Sequence, residues 1–197
     1  MTSIANDDHK IITETEPVAK LRISLLGSFQ VTRESAPVTH FETDATRALL
    51  AYLAMNAGQP LRRETLATLL WPEQDEQSAL HALSQTLNRL RRALDDADTQ
   101  TPYLLVTRQT LQLNPDSAYE LDVATFDAEL EAAGRHPHRR LAACQTCIRH
   151  LETAAQLYRG NLLDGFTLDS VPFEEWLLMQ RENLHRRAMA LFYDLAD

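Results

Sequence analysis

The stretch "LLWPEQDEQSALHALSQTLNRLRRALDD", residues 69–96, carries the pattern from which the rest of the chain can be read. It opens on a tryptophan–proline stop and an acidic patch. From there Leu80, Leu83, Leu87, Leu90 and Leu94 recur at spacings of three and four. That spacing is one apolar stripe of an α-helix, with His81, Ser84, Gln85, Asn88, Arg89 and Arg92 left for the other sides. No acid occurs between residues 77 and 94, although the chain holds 28 Asp+Glu against 19 Lys+Arg. Arg89, Arg91 and Arg92 crowd the far end. A helix that enters a DNA major groove needs an apolar side to fix it and a polar side without carboxylates. Basic residues also suit the C-terminal end of any helix, whose dipole favours cations there. Taken alone, the helix fits both readings.

The flanking sequence gives it a setting. Upstream, "LRISLLGSFQV" (21–31) predicts two short strands meeting at a turn, and "ESAPVTHF" (34–41) a turn and a third. "FETDATRALLAYLAMNAG" (41–58) predicts a helix with Thr43 or Asp44 as its cap, Ala45, Leu49, Leu50, Leu53 and Ala54 on one face, and Gly58 then Pro60 as its stop. "RRETLATLLWP" (62–72) is a second, short helix. Downstream, "YLLVTRQTLQLNP" (103–115) reads as a hairpin around Arg108 and Gln109. From residue 122 the chain reads as helical: "LDVATFDAELEAA" (121–133), a long Ala-rich segment over 138–160, and a last helix over 173–196 with Trp176, Leu177, Leu184, Ala188, Leu191 and Leu195 near one stripe. Paired helices of this kind predict a tetratricopeptide-like body. The chain stops on an amphipathic helix without a following partner, which points to the front end of a longer protein. Residues 1–19 are polar, lack aromatics and read as a disordered lead-in.

Composition bounds the function. At 197 residues and 44% hydrophobic the chain can bury a core in one or two domains. Its longest apolar run, 48–55, is far short of a membrane span, and the N-terminus lacks a secretory pattern, so a cytoplasmic location is expected. Cys144 and Cys147 do not form a disulfide framework. A net charge of −9 weighs against general nucleic-acid binding, but a local field can oppose the net charge.

Several segments resemble one family. "LRISLLGSFQV" followed by "TRALLAYLAMNAGQPLRRETLATLLWPE" (46–73), and the tail "LNRLRRAL" (87–94), resemble the start of SARP-type bacterial transcriptional activators. "LDVATFDAEL" (121–130), "AAQLYRGNLLDGF" (154–166) and "FEEWLLMQRENL" (173–184) resemble the bacterial transcriptional activator domain that follows in those proteins. The likeness covers residues 21–197. It implies a mainly α fold with small β elements: a winged helix-turn-helix of the OmpR type over residues 20–116, then an all-α tetratricopeptide-like domain over 117–197. Ala82, Ser84 and Gln85 depart from the family, whose members often carry larger or basic residues there.

The resemblance assigns roles to named residues. Gln85 and Asn88 would pair with adenine edges and Arg89 with guanine, while His81, Thr86, Arg91 and Arg92 would make phosphate or mixed contacts. Arg108 at the hairpin tip would reach a minor groove or backbone; it also fits a plain surface turn. Arg62 and Arg63 open the second helix, where a phosphate would meet free amides; a solvated pair fits as well. Glu73, Asp75 and Glu76 lie in the loop that touches RNA polymerase in similar winged-helix activators, and they also suit the N-terminus of the helix that follows. Double-stranded DNA and RNA polymerase are the expected partners, with a homodimer on repeated half-sites.

Other chemistry finds little support. Cys144, Cys147 and His150, with His136 and His138 upstream, have helical spacing, whereas zinc pairs usually sit on turns; no metal or cofactor is expected. Five scattered glycines make no phosphate loop, and no enzyme activity is expected. The competing reading is a protein-interaction or signal-sensing module built on a degenerate winged helix.

Overall fold

The computed structural model describes residues 21–96, 101–135 and 144–196. The lead-in expected over residues 1–19, His136 and His138 lie outside them.

The fold is mainly α with two small sheets. Strands β1 (Leu21–Ser24), β2 (Gln30–Arg33) and β3 (Ala36–Pro37) form an antiparallel meander, with Leu21 opposite Arg33 and Thr32 opposite Pro37. The β2–β3 turn places two ordinary residues, Glu34 and Ser35, at φ +48° and +71°. A two-residue hairpin loop with both φ positive favours Asn-Gly, because side chains with a Cβ are strained there. Glu34→Asn combined with Ser35→Gly is therefore expected to raise stability by about 1 kcal/mol, read as a higher denaturation midpoint at unchanged slope.

Three helices follow. Helix α1 (Asp44–Met55) is capped by Thr43, whose hydroxyl accepts from the Thr46 amide at 3.3 Å. The inner face takes Thr46 rather than the expected Ala45, which is only half-buried. Strand β4 (Leu61–Arg62) leads into α2 (Arg63–Leu70), so the expected second helix gives up its first residue to a sheet. Helix α3 (Glu76–Ala93) buries Ala79, Leu83, Thr86, Leu87 and Leu90. Its stripe is rotated slightly from the expected one, and Leu80 is half-buried. The hairpin of β5 (Leu104–Val106) and β6 (Thr110–Leu113) closes a second sheet in the order β4-β6-β5.

The connection to the helical domain is part of the fold. Strand β7 (Tyr119–Leu121) pairs parallel to β1, with Ile23 opposite Leu121, and becomes an edge of the first sheet. Helix α4 (Asp122–Gly134) starts there and packs on α5 (Gln145–Leu157), which packs on α6 (Val171–Ala196). Of the Ala-rich segment expected as one long helix over 138–160, the described residues form α5 from Gln145, after an extended Cys144, to Leu157; residues 138–143 lie outside the described residues. His150 Nδ1 lies 2.6 Å from Glu129 Oε2, and Cys147 Sγ lies 3.5 Å from the Ala133 carbonyl oxygen, so both contacts tie α5 to α4.

The helical domain is docked on the first one. The Asp122 carboxylate accepts from the amides of Leu25 and Leu26 at 2.9 Å and from Arg159 at 3.1 Å. The Leu163 and Asp164 amides donate to Leu25 and Gly27 carbonyls. Ser170 Oγ donates to the Leu69 carbonyl at 2.6 Å, and Tyr52 and Trp176 pack with their rings tilted and centroids 4.7 Å apart. Gly27 has φ +107°, and a Cβ there would lie 3.3 Å from that of Arg159, so the close approach of the two domains needs glycine. One hydrophobic cluster runs through both domains, from Leu21 to Leu191.

Candidate nucleic-acid interface

Helix α3 is held at both ends. Asp75 caps its start, accepting from the Ser78 amide at 3.0 Å, and hydrogen bonding from Ser78 holds the Asp75 carboxyl below the usual range. At the other end Arg33 of β2 donates to the Leu94 carbonyl at 3.0 Å and pairs with Asp95 at 2.7 Å, which satisfies a carbonyl that the helix leaves open. Asp96, fully buried, accepts from the Tyr103 amide and so ties the end of α3 to the start of the hairpin. Burial pushes the Asp96 carboxyl up, although the Tyr103 amide and Arg91 pull it down.

The free face of α3 carries Gln77, His81, Gln85, Asn88 and Arg92, at spacings of four, four, three and four. All five are exposed and none is an acid. His81 Nε2 and the Gln85 amide nitrogen lie 2.8 Å apart, so the imidazole accepts from Gln85 when its proton sits on Nδ1. Asn88 is exposed in the middle of the row.

Thr86 does not belong to this face. It is 2% exposed and packs with the apolar stripe, so its expected role as a contact is corrected. The helical period already held the signal: Ala79, Leu83, Thr86 and Leu90 follow each other at four, three and four.

The three arginines at the end of α3 all face carboxylates of this chain. Arg89 Nε donates to Glu42 Oε2 at 3.0 Å, and the Arg92 guanidinium lies 3.2 Å from Glu42 Oε1. Arg91 Nε lies 3.6 Å from Asp96 Oδ2. Arg91 leans toward the buried Asp96 and keeps 42% of its side chain exposed at the helix end. Glu42 lies 47 residues before Arg89 in sequence, and no local spacing could have revealed it.

Arg63 joins three elements. Its backbone amide donates to the Gln109 carbonyl at the hairpin tip, at 2.9 Å. Its guanidinium donates to Ser84 Oγ of α3 at 2.8 Å, and Ser84 donates to the Leu80 carbonyl. The small Ser84 seats one nitrogen of Arg63, so Arg63 ties α3 and the tip to α2 while staying half-buried at the surface. Arg62 stays outside, 73% exposed and 3.4 Å from Glu64. Arg108 is exposed at the tip, where Thr107 closes the turn by accepting from the Gln109 and Thr110 amides. Glu73 is exposed in the α2–α3 loop, and Asp75 and Glu76 are exposed at the cap and first position of α3. Among the described residues no group of three His, Cys, Asp or Glu could hold a metal ion, and no helix is long and apolar enough to cross a membrane.

Two family models match the chain in succession. Residues 42–110 match "Transcriptional regulatory protein, C terminal", and residues 121–197 match "Bacterial transcriptional activator domain". These are families of transcription regulators, not of enzymes. A solved structure, Mycobacterium tuberculosis EmbR in complex with low affinity phosphopeptide, is similar with 27% identity and a TM-score of 0.60. The match covers 90% of this chain and 43% of that one, so this chain spans less than half the length of that relative. No curated protein matches by sequence. With a winged helix leading directly into this helical domain, the chain belongs to the SARP-type bacterial transcriptional activators.

Proposed function

We propose that the chain binds double-stranded DNA with sequence preference, that residues 20–116 do the binding, and that residues 117–197 form the helical activator body. The observation that carries this reading is the acid-free exposed row of α3, presented beside a wing whose tip arginine is exposed. His81, Gln85 and Asn88 stand where base edges would lie, with Arg89 and Arg92 at the end of the row. Arg62 and Arg108 flank it as backbone contacts. Glu73, Asp75 and Glu76, on the loop before α3 and at its start, form an acidic surface suited to a basic face of RNA polymerase. Two copies on repeated half-sites fit a regulator of this family.

The net charge of −9 favours a second reading, in which the chain is a protein-interaction module. Selection of bound sequences from random duplex, followed by titrations over salt, separates the two. A DNA binder loses affinity steeply as salt rises, because each phosphate contact releases a counterion. Arg108→Ala is expected to weaken selected and random duplexes by similar factors, since a backbone contact carries little base information. Loss confined to the selected duplex would mean that the tip reads bases. No enrichment, with no salt-dependent binding, would leave the interaction module as the reading.

A further inference from the structure

We propose that Glu42 is an internal stand-in for a DNA phosphate: it holds Arg89 and Arg92 of α3 and is displaced only when a duplex takes over those arginines. This inference rests on the DNA-binding reading of α3. Glu42 lies immediately before Thr43, the cap of α1, and contributes to neither the apolar core nor the capping of that helix. Its two carboxylate oxygens are divided between two guanidinium groups, Arg89 at 3.0 Å and Arg92 at 3.2 Å. One negative charge on two oxygens, shared by two arginines, is also what a phosphodiester would offer them. Glu42 is 51% exposed and Arg92 70% exposed, so the pairing is weak and open to exchange.

The consequence is restraint. Any duplex must displace Glu42 and then sit beside an unpaired carboxylate, whether Arg89 goes on to a phosphate or to a base edge. Glu42 thereby lowers affinity for random and preferred sequence by similar factors, which keeps weak non-specific binding down while the preferred site, with its added base contact, still binds.

The test compares Glu42→Gln with Glu120→Gln in anisotropy titrations on a random duplex and on a selected one. Glu120 is a fitting control because it is similarly exposed, pairs with Arg22 at 2.7 Å, and lies on edge strand β7, so it repeats the charge change away from α3. Glu42→Gln is expected to tighten random duplex roughly threefold to tenfold near 0.1 M salt, and to steepen the log–log salt slope by about one to two, as freed arginines take up phosphates. The gain on the selected duplex should be similar. Both effects should vanish when Arg89 and Arg92 are also alanine. Equal effects from the two variants, or weaker random binding by Glu42→Gln, would overturn the role of Glu42 while leaving DNA binding intact. Failure of wild type and Glu42→Gln alike to bind any duplex would overturn the DNA-binding reading, and this inference with it.

Discussion

Asp122→Ala is expected to lower stability by about 2–4 kcal/mol, the largest loss from any single polar side chain in the interface between the two domains. The Asp122 side chain is 6% exposed and accepts from two backbone amides, those of Leu25 and Leu26, where β1 gives way to the next turn. Alanine leaves both amides buried without acceptors, at about 1–3 kcal/mol each, partly offset because a buried charge is removed. Arg159 loses its partner too, but it is 46% exposed and water can serve it. Arg159→Ala should therefore cost no more than about 1 kcal/mol. Thermal melts would show Asp122→Ala about 5–12 °C below wild type. Limited proteolysis of the same variant should open the chain around β7, which wild type protects by pairing it with β1. A melting point within about 2 °C of wild type would remove Asp122 from this role.

The same carboxyl sets a pH dependence. Burial pushes Asp122 up, and the amides of Leu25 and Leu26 together with Arg159 pull it back only in part. Its folded value therefore lies above the unfolded value of about 3.9, and the folded chain binds the proton more tightly. The stabilisation from this titration is full below about pH 4 and is lost as pH rises through the raised value. Asp96 and Asp127, both pushed up mainly by burial, act with the same sign. Against an Asp122→Asn variant, wild type should lose relative stability as pH rises from about 4 toward neutrality. A gap that moved the other way would mean that hydrogen bonding outweighs burial at this site.

Period and punctuation made much of this fold legible. Helices α1, α3 and α6 announce themselves through leucine spacing, and the hairpin through strand formers on either side of Arg108 and Gln109. What was not legible depends on distant partners. Tyr119–Leu121 has too few residues to alternate, and it is a strand only because β1 offers it an open edge. Leu61–Arg62 is a strand only because β6 lies beside it. The loop from residue 158 to 170 reads as a plain connection. In the structure its backbone amides at Leu163 and Asp164 bond to Leu25 and Gly27, and Arg181 donates to three of its carbonyls. The site divides the same way. Composition shows which face of α3 lacks acids, and period alone could have placed Thr86 inside. Neither could show that Arg89 and Arg92 meet Glu42, that Arg91 turns toward Asp96, or that Arg63 is seated on Ser84, since each of these contacts depends on how the chain is folded back.

Gln85→Glu should reduce binding to every duplex by roughly tenfold to a hundredfold, with little change in the fold. Gln85 is exposed near the centre of the row from Gln77 to Arg92, and its own intramolecular bond is to the equally exposed His81. Glutamate has the same size and a similar helix propensity, so the melting point should stay near that of wild type. A carboxylate there would face phosphates or base acceptors within a few ångströms, a repulsion of about 1–3 kcal/mol once water is excluded. Arg89, one turn further along, cannot fully neutralise it because Arg89 is already engaged, by Glu42 in the free chain and by the duplex in the complex. The loss should appear on random and selected duplexes alike and shrink as salt rises. Thr86→Val is the companion measurement: it lies one residue away but inside the core, and it should leave binding to both duplexes unchanged. The two variants together test which side of α3 meets DNA. Unimpaired binding by a folded Gln85→Glu protein would show that this face does not approach the duplex. Loss of binding by a fully stable Thr86→Val protein would show that α3 rotates when DNA binds, bringing a residue that is buried here out to the groove.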